Sequence, residues 1–263
     1  MRGSTCFKIV AYALAFSAAS ALAQDHLVPE PSAIGGDDYV GKYQEQVATV
    51  LHEVYDRNVR IRMIAQPSFS AEYVVGIKDN SSIFVVTPAQ QVWQYESLRM
   101  MEHGSVAVVS KDGKAPPADD PNGTKADIAE LRETLPADYR DVKLDRCQIA
   151  IDPKLADRTV EVWKEILLQT RFVRGPEPVK GADGKLIYTV TVGLDGETYH
   201  FSMRDGSGDV FAGSTWSPSK DTKPAKLVEI AETMRNYCTT KNSDDLAKLS
   251  REVDALLGEL HER

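Results

Sequence analysis

LIYTVTVGLDGETYHFSM, residues 186–203, is the stretch whose reading decides the fold. Apolar and polar residues alternate on both sides of Asp195-Gly196. Asp-Gly between alternating runs is the strongest short-range signal for a β-hairpin, because a type I′ turn needs two residues that tolerate positive φ. With those two residues in the loop, Leu194 faces Glu197, and the register pairs Val192 with Tyr199, Val190 with Phe201 and Tyr188 with Met203. That face is apolar. The other pairs Thr191 with His200 and Thr189 with Ser202, and is polar.

Downstream, a Gly-rich turn over 205–209 leads into a third strand over 210–216. A helix opening near Pro224 places Leu227, Ile230, Ala231, Met234 and Cys238 on one stripe. An isolated hairpin is marginal in water, so this stripe is expected to cover the apolar face of the meander. From 243 onward, Leu246, Leu249, Val253, Leu256 and Leu260 recur at spacings of three and four. That is an a/d seam two heptads long. It fits a helix docked on its own domain or one that meets a protein partner.

Upstream, helical periodicity runs over 38–57, with Tyr43, Val47, Val50, Leu51 and Val54 inward and His52 beside that stripe. Strands follow at 59–65, 71–78 and 82–87, the last two joined as a hairpin through Asp79-Asn80-Ser81. Thr87-Pro88-Ala89-Gln90 has the form of a capping box and predicts a helix to about 102. A strand is expected at 105–110, a Pro/Gly linker at 111–123 and a short helix opening at Thr124. A strand over 142–151 carries Cys147. Asp152-Pro153 then starts a helix to about 172, with Leu155, Val160, Trp163, Ile166, Leu167 and Thr170 inward.

The expected fold class is α+β, with antiparallel hairpins and a β-meander packed against amphipathic helices. The chain divides into a leader (1–23), a disordered lead-in (24–36), an N-terminal half (37–110), the linker (111–123), a C-terminal half (124–241) and a terminal helix (242–263). Both halves run helix, hairpin, helix, and Tyr73-Val74-Val75-Gly76-Ile77 resembles Val190-Thr191-Val192-Gly193-Leu194. A duplicated αββα unit is one explanation. The general likeness of hairpins is the other.

The leader reading rests on Arg2 and Lys8, the apolar run 9–19 and the small-x-small sequence Ala21-Leu22-Ala23, which places cleavage after Ala23. The run is too short for a comfortable membrane span, so no stable membrane anchor is expected. Losing two basic and no acidic residues moves the formal charge from −8 to −10, a balance that argues against nucleic-acid partners. Cys147 and Cys238 are the cysteines left after cleavage. In an exported chain two cysteines are expected to form a disulfide.

No motif carries chemistry. The histidines at 26, 52, 103, 200 and 261 have no zinc spacing and no His-Glu-x-x-His, so no metal or cofactor is expected. Ser105, Ser207 and Ser214 follow glycines, but none stands in Gly-x-Ser-x-Gly, and no catalytic residue is assigned. Residues 181–185 lack the spacing of a phosphate loop, and Asp205-x-Ser207-x-Asp209 lacks most of a calcium loop. What remains is a polar sheet face at Thr191, His200 and Ser202, either a ligand surface or simply the wet side of a sheet. The functional expectation is an exported, periplasmic or secreted, non-enzymatic binding or accessory protein of the cell envelope. The alternatives are a small exported hydrolase whose site assembles only in three dimensions, and an inhibitor or immunity protein.

Overall fold

The computed structural model describes residues 25–30, 39–102, 121–172, 179–180, 186–187 and 196–262. It begins with strand β1 (Val28–Pro29), helix α1 (Tyr39–Val50), strands β2 (Val59–Pro67), β3 (Tyr73–Lys78) and β4 (Ser82–Pro88), and helices α2 (Trp93–Glu102) and α3 (Pro121–Thr134). Strand β5 (Leu144–Ala150) and helix α4 (Pro153–Leu167) follow, then strands β6 (Val179–Lys180), β7 (Leu186–Ile187), β8 (Glu197–Arg204) and β9 (Val210–Trp216). Helices α5 (Lys223–Thr240) and α6 (Ser243–His261) complete the chain order. The seven-stranded sheet has the order β1-β9-β8-β2-β3-β4-β5, and β6 pairs with β7 apart from it. Every pairing is antiparallel. The fold is α+β, as the patterning implies.

Period-two alternation sends the central strands' side chains to two apolar clusters. On one face Ile61, Met63, Ala65, Tyr73, Val75, Ile77, Ile83, Val85, Tyr199, Phe201 and Met203 pack against α4, α5 and α6. On the other, Ile64, Val74, Phe84 and Val86 pack against Val47, Val50, Leu51 and Val54. Gly76 is where it is because the Phe84 ring and the Ile61 carbonyl occupy the space a Cβ would need. Helix α4 begins where Asp152-Pro153 indicated, with the Asp152 carboxylate accepting from the Lys154 amide at 2.9 Å. Thr222 caps α5 and Asn242 caps α6 in the same manner.

The hairpin expected across Asp195-Gly196 is not the partner of β8. Residues 188–195, Thr191 among them, lie outside the described residues. Strand β8, however, is paired on both edges: Met203, Phe201 and Tyr199 stand opposite Ile61, Met63 and Ala65 of β2, and β9 takes the other side. β7 pairs with β6. Two physical reasons explain the miss. β2 offers the same apolar alternation as 188–192, so side-chain parity alone does not distinguish the two partners. Gly196 is not in the positive-φ region a type I′ turn requires. The space for its Cβ is taken by the Trp216 ring and the Ser217 hydroxyl, so close approach is what demands glycine there. Through this pairing, strands from 37–110 and 124–241 are neighbours in one sheet.

Other expectations change too. The lead-in 24–36 is not wholly disordered: Val28 and Pro29 pair with β9, Leu27 is fully buried, and the Asp25 carboxylate accepts from the Lys223 amide at 2.9 Å. The strand expected at 105–110 and most of the linker are outside the described residues, while Pro121 to Gly123 already belong to α3. The seam of α6 is filled by its own chain: Leu249, Val253, Leu256 and Leu260 are buried in the cluster beneath α4 and α5. The seam therefore presents these residues inward, to its own chain.

The capping box at 87–90 is also wrong. Thr87 and Pro88 end β4, and α2 starts at Trp93. Its cap comes from afar. The fully buried Glu72 carboxylate accepts from the Val92 amide at 2.7 Å, the Trp93 amide at 3.0 Å and the Tyr43 hydroxyl at 2.6 Å. Three donors around one carboxylate satisfy the charge that burial would otherwise penalise. Glu72→Ala strands all three, and the expected loss of stability is about 2 kcal/mol, read from the urea midpoint.

Candidate ligand face around His200

On the second face of the sheet, the apolar cover stops at β2. Beyond it, β8 and β9 present His200, Ser202 and Ser214, opposite Ile64 and Arg62 on one side and Val28 on the other. Trp216, half exposed, stands opposite Thr198 at one end. This is the face on which residues 200 and 202 were expected, and the structure brings both together there.

His200 is held from two directions. Its Nδ1 lies 2.7 Å from Glu30 Oε1, and its Nε2 lies 2.9 Å from Gln66 Oε1. Gln66 in turn exchanges a pair of amide hydrogen bonds with Gln44, each 2.9 Å long. A polar chain thus runs from β1's flank through β8 and β2 to α1. Glu30 and His200 are each about one-fifth exposed, so the pair is sheltered but reachable. Ser202 is buried and pairs across β2 with Arg62. The Arg62 guanidinium donates to the Val54 carbonyl at 2.9 Å and lies 4.1 Å from the centre of the Tyr55 ring. Burial holds this guanidinium below its ordinary value and pushes the Tyr55 phenol up.

The chemistry this arrangement offers is hydrogen bonding and charge. A hydrolytic dyad needs an imidazole nitrogen directed at a hydroxyl. Here one nitrogen meets a carboxylate and the other an amide oxygen, and Ser202 is a same-face neighbour two residues along β8. Of the other motifs, the turn at 205–209 closes on itself. Asp205 Oδ1 accepts from the Ser207 amide, the Ser207 hydroxyl and the Asp209 amide at 2.7–2.9 Å, and these bonds hold its carboxyl below the usual range. Among the described residues no group of three or more His, Cys, Asp or Glu could hold a metal, and no helix is long and apolar enough to cross a membrane.

Sequence reasoning missed Glu30, Gln44, Gln66 and Arg62, and a second cluster on the opposite face. There the Tyr73 hydroxyl donates to Glu232, the Tyr199 hydroxyl donates to Glu197, and Arg235 lies 3.9 Å over the Tyr73 ring. The available signal was tyrosine at apolar positions, since a buried phenol needs an acceptor. Burial first, then the adjacent carboxylates, pushes Tyr43, Tyr73 and Tyr199 well above the ordinary 10.0. The folded protein therefore binds these protons more tightly than the unfolded chain. Their contribution is complete below pH 10 and is lost as pH rises beyond it. Urea titrations are expected to show stability falling above pH 10 by about 1.4 kcal/mol per pH unit for each phenol still protonated, with a shallower slope in Tyr73→Phe.

No protein family, curated protein or solved structure matches this chain.

Proposed function

We propose that this protein is an exported, non-enzymatic binding protein of the cell envelope, and that its ligand surface is the polar face around His200. The observation that carries the reading is the Glu30–His200–Gln66–Gln44 chain, a sheltered and connected set of polar groups on one face of the sheet, with both imidazole nitrogens engaged. Export is supported by the leader pattern of residues 1–23. It is supported further by the Cys147 and Cys238 sulfurs, 1.95 Å apart across a Cα separation of 6.0 Å, since structural disulfides persist in oxidising compartments. A hydrolase is the second reading. It draws on Glu30 at His200 Nδ1, the orienting half of a catalytic pair.

Native mass spectrometry of the protein recovered from the envelope fraction tests the proposal. The expected product starts at Gln24, has no free thiol before reduction, and carries a small molecule that His200→Ala loses. A product with its leader intact, or one that turns over generic esters through His200, would overturn it.

A further inference from the structure

Next to the histidine chain, the same face carries two arginines. We propose that Arg62 and Arg204, with the Ser202 hydroxyl, grip an oxyanion, the carboxylate or phosphoryl group of a small ligand. The inference rests on reading this face as the binding surface and does not depend on export.

Register places the three groups together. Arg62 stands directly opposite Ser202. Arg204 follows two residues along β8 and so shares the face. Diagonal neighbours on adjacent strands are about 7–8 Å apart, within reach of two guanidinium side chains. Arg62 is already oriented by the Val54 carbonyl and the Tyr55 ring, yet its Nε is buried with no acceptor. Arg204 makes one long bond, 3.4 Å, to the Gly208 carbonyl.

Among the described residues, neither guanidinium has a carboxylate within ion-pair distance, and Glu30 is paired with His200. Two like charges on neighbouring strands repel, and a buried donor without an acceptor is costly. Burial is the largest influence against the Arg62 cation; the Tyr55 phenol and the Glu30 carboxylate favour it, and the Arg204 charge disfavours it. One anion between them answers both deficits, and a guanidinium fork matches the paired oxygens of a carboxylate or phosphoryl group. A cleft lined by Arg60, Ile61, Arg62, Ser202, Met203 and Arg204, among others, has a volume of about 10 Å³, the space of a single water-sized atom, so one oxygen of the anion would enter it and the rest would project outward.

Calorimetric titration of the purified chain with inorganic phosphate, and separately with acetate, in low-chloride buffer tests this. At least one anion is expected to bind with one-to-one stoichiometry. Phosphate alone identifies a phosphoryl group, acetate alone a carboxylate, and both the shared oxyanion chemistry. Arg204→Gln, at the half-buried end of β8, is expected to weaken binding about tenfold or more, with an unchanged circular dichroism spectrum, whereas Lys154→Gln, exposed on α4, retains it. Binding of neither anion, or equal binding by Arg204→Gln, would overturn the site. A protein that holds a small molecule through His200 but ignores both anions would overturn this inference alone. Anion binding that depends on Arg204, in a protein whose leader is uncleaved, would overturn export and leave this site standing.

Discussion

Removing the link between Cys147 and Cys238, by reduction or by replacing both with serine, is expected to lower the free energy of unfolding by about 4–5 kcal/mol. The two residues are separated by 91 positions. In the chain-entropy account, a cross-link over so long a loop removes many conformations from the unfolded state. Position adds to length. Cys147 is on β5, an edge strand held on one side by β4, and its residues are mostly exposed or half-buried. Cys238 is fully buried in the last turns of α5. The bond therefore ties the least enclosed strand of the sheet to the helix that covers its apolar face. Against a typical total of about 5–15 kcal/mol, such a loss leaves the reduced protein marginal. Urea unfolding with and without a reductant measures it directly. A change below about 1 kcal/mol would mean that β5 and α5 are held by packing alone.

Trp163→Ala is the second large effect, with an expected loss of about 3–5 kcal/mol. Trp163 is fully buried on α4 and meets Phe201 of β8 edge-on, with centroids 5.8 Å apart and planes at 64°. Truncation opens a cavity in the layer where α4, β2 and β8 meet. It also removes the aromatic contact that favours β8 in this place. Trp163→Phe is expected to cost much less, because the indole Nε1 is buried without an acceptor among the described residues. A phenyl ring removes that unsatisfied donor while keeping most of the contact. Denaturation midpoints of the two variants, compared at constant slope, separate packing from polarity.

Those elements whose instructions are local were legible in advance. Asp152-Pro153 and Pro224 mark helix starts because a cap and a proline act within one turn. Most of the inward residues of α4, α5 and α6 follow from helical spacing alone, although α4 ends at Leu167 and leaves Thr170 beyond it. Parity also placed Tyr199, Phe201 and Met203 on the apolar face and His200 and Ser202 on the polar one. The neighbour of β8 was not legible. Two segments carry the same alternation, and the choice of β2 is made by packing beneath α4, far away in sequence. Glu72 and Glu30 were unreadable for the same reason. Nothing near either residue announces that its carboxylate will meet an amide 20 positions on or an imidazole 170 positions on. The polar site inherits this difficulty, because each of its parts comes from a different element.

Everything proposed for that site depends on β2 lying beside β8, which sets Gln66 against His200 and Arg62 against Ser202. Interstrand nuclear Overhauser contacts in the isotopically labelled protein decide it. Cross-peaks joining Met63 to Phe201 and Ile64 to His200 are the expected result. Cross-peaks joining Phe201 to Val190 and His200 to Thr191 in their place would contradict the pairing, dismantle the polar face and restore the local hairpin.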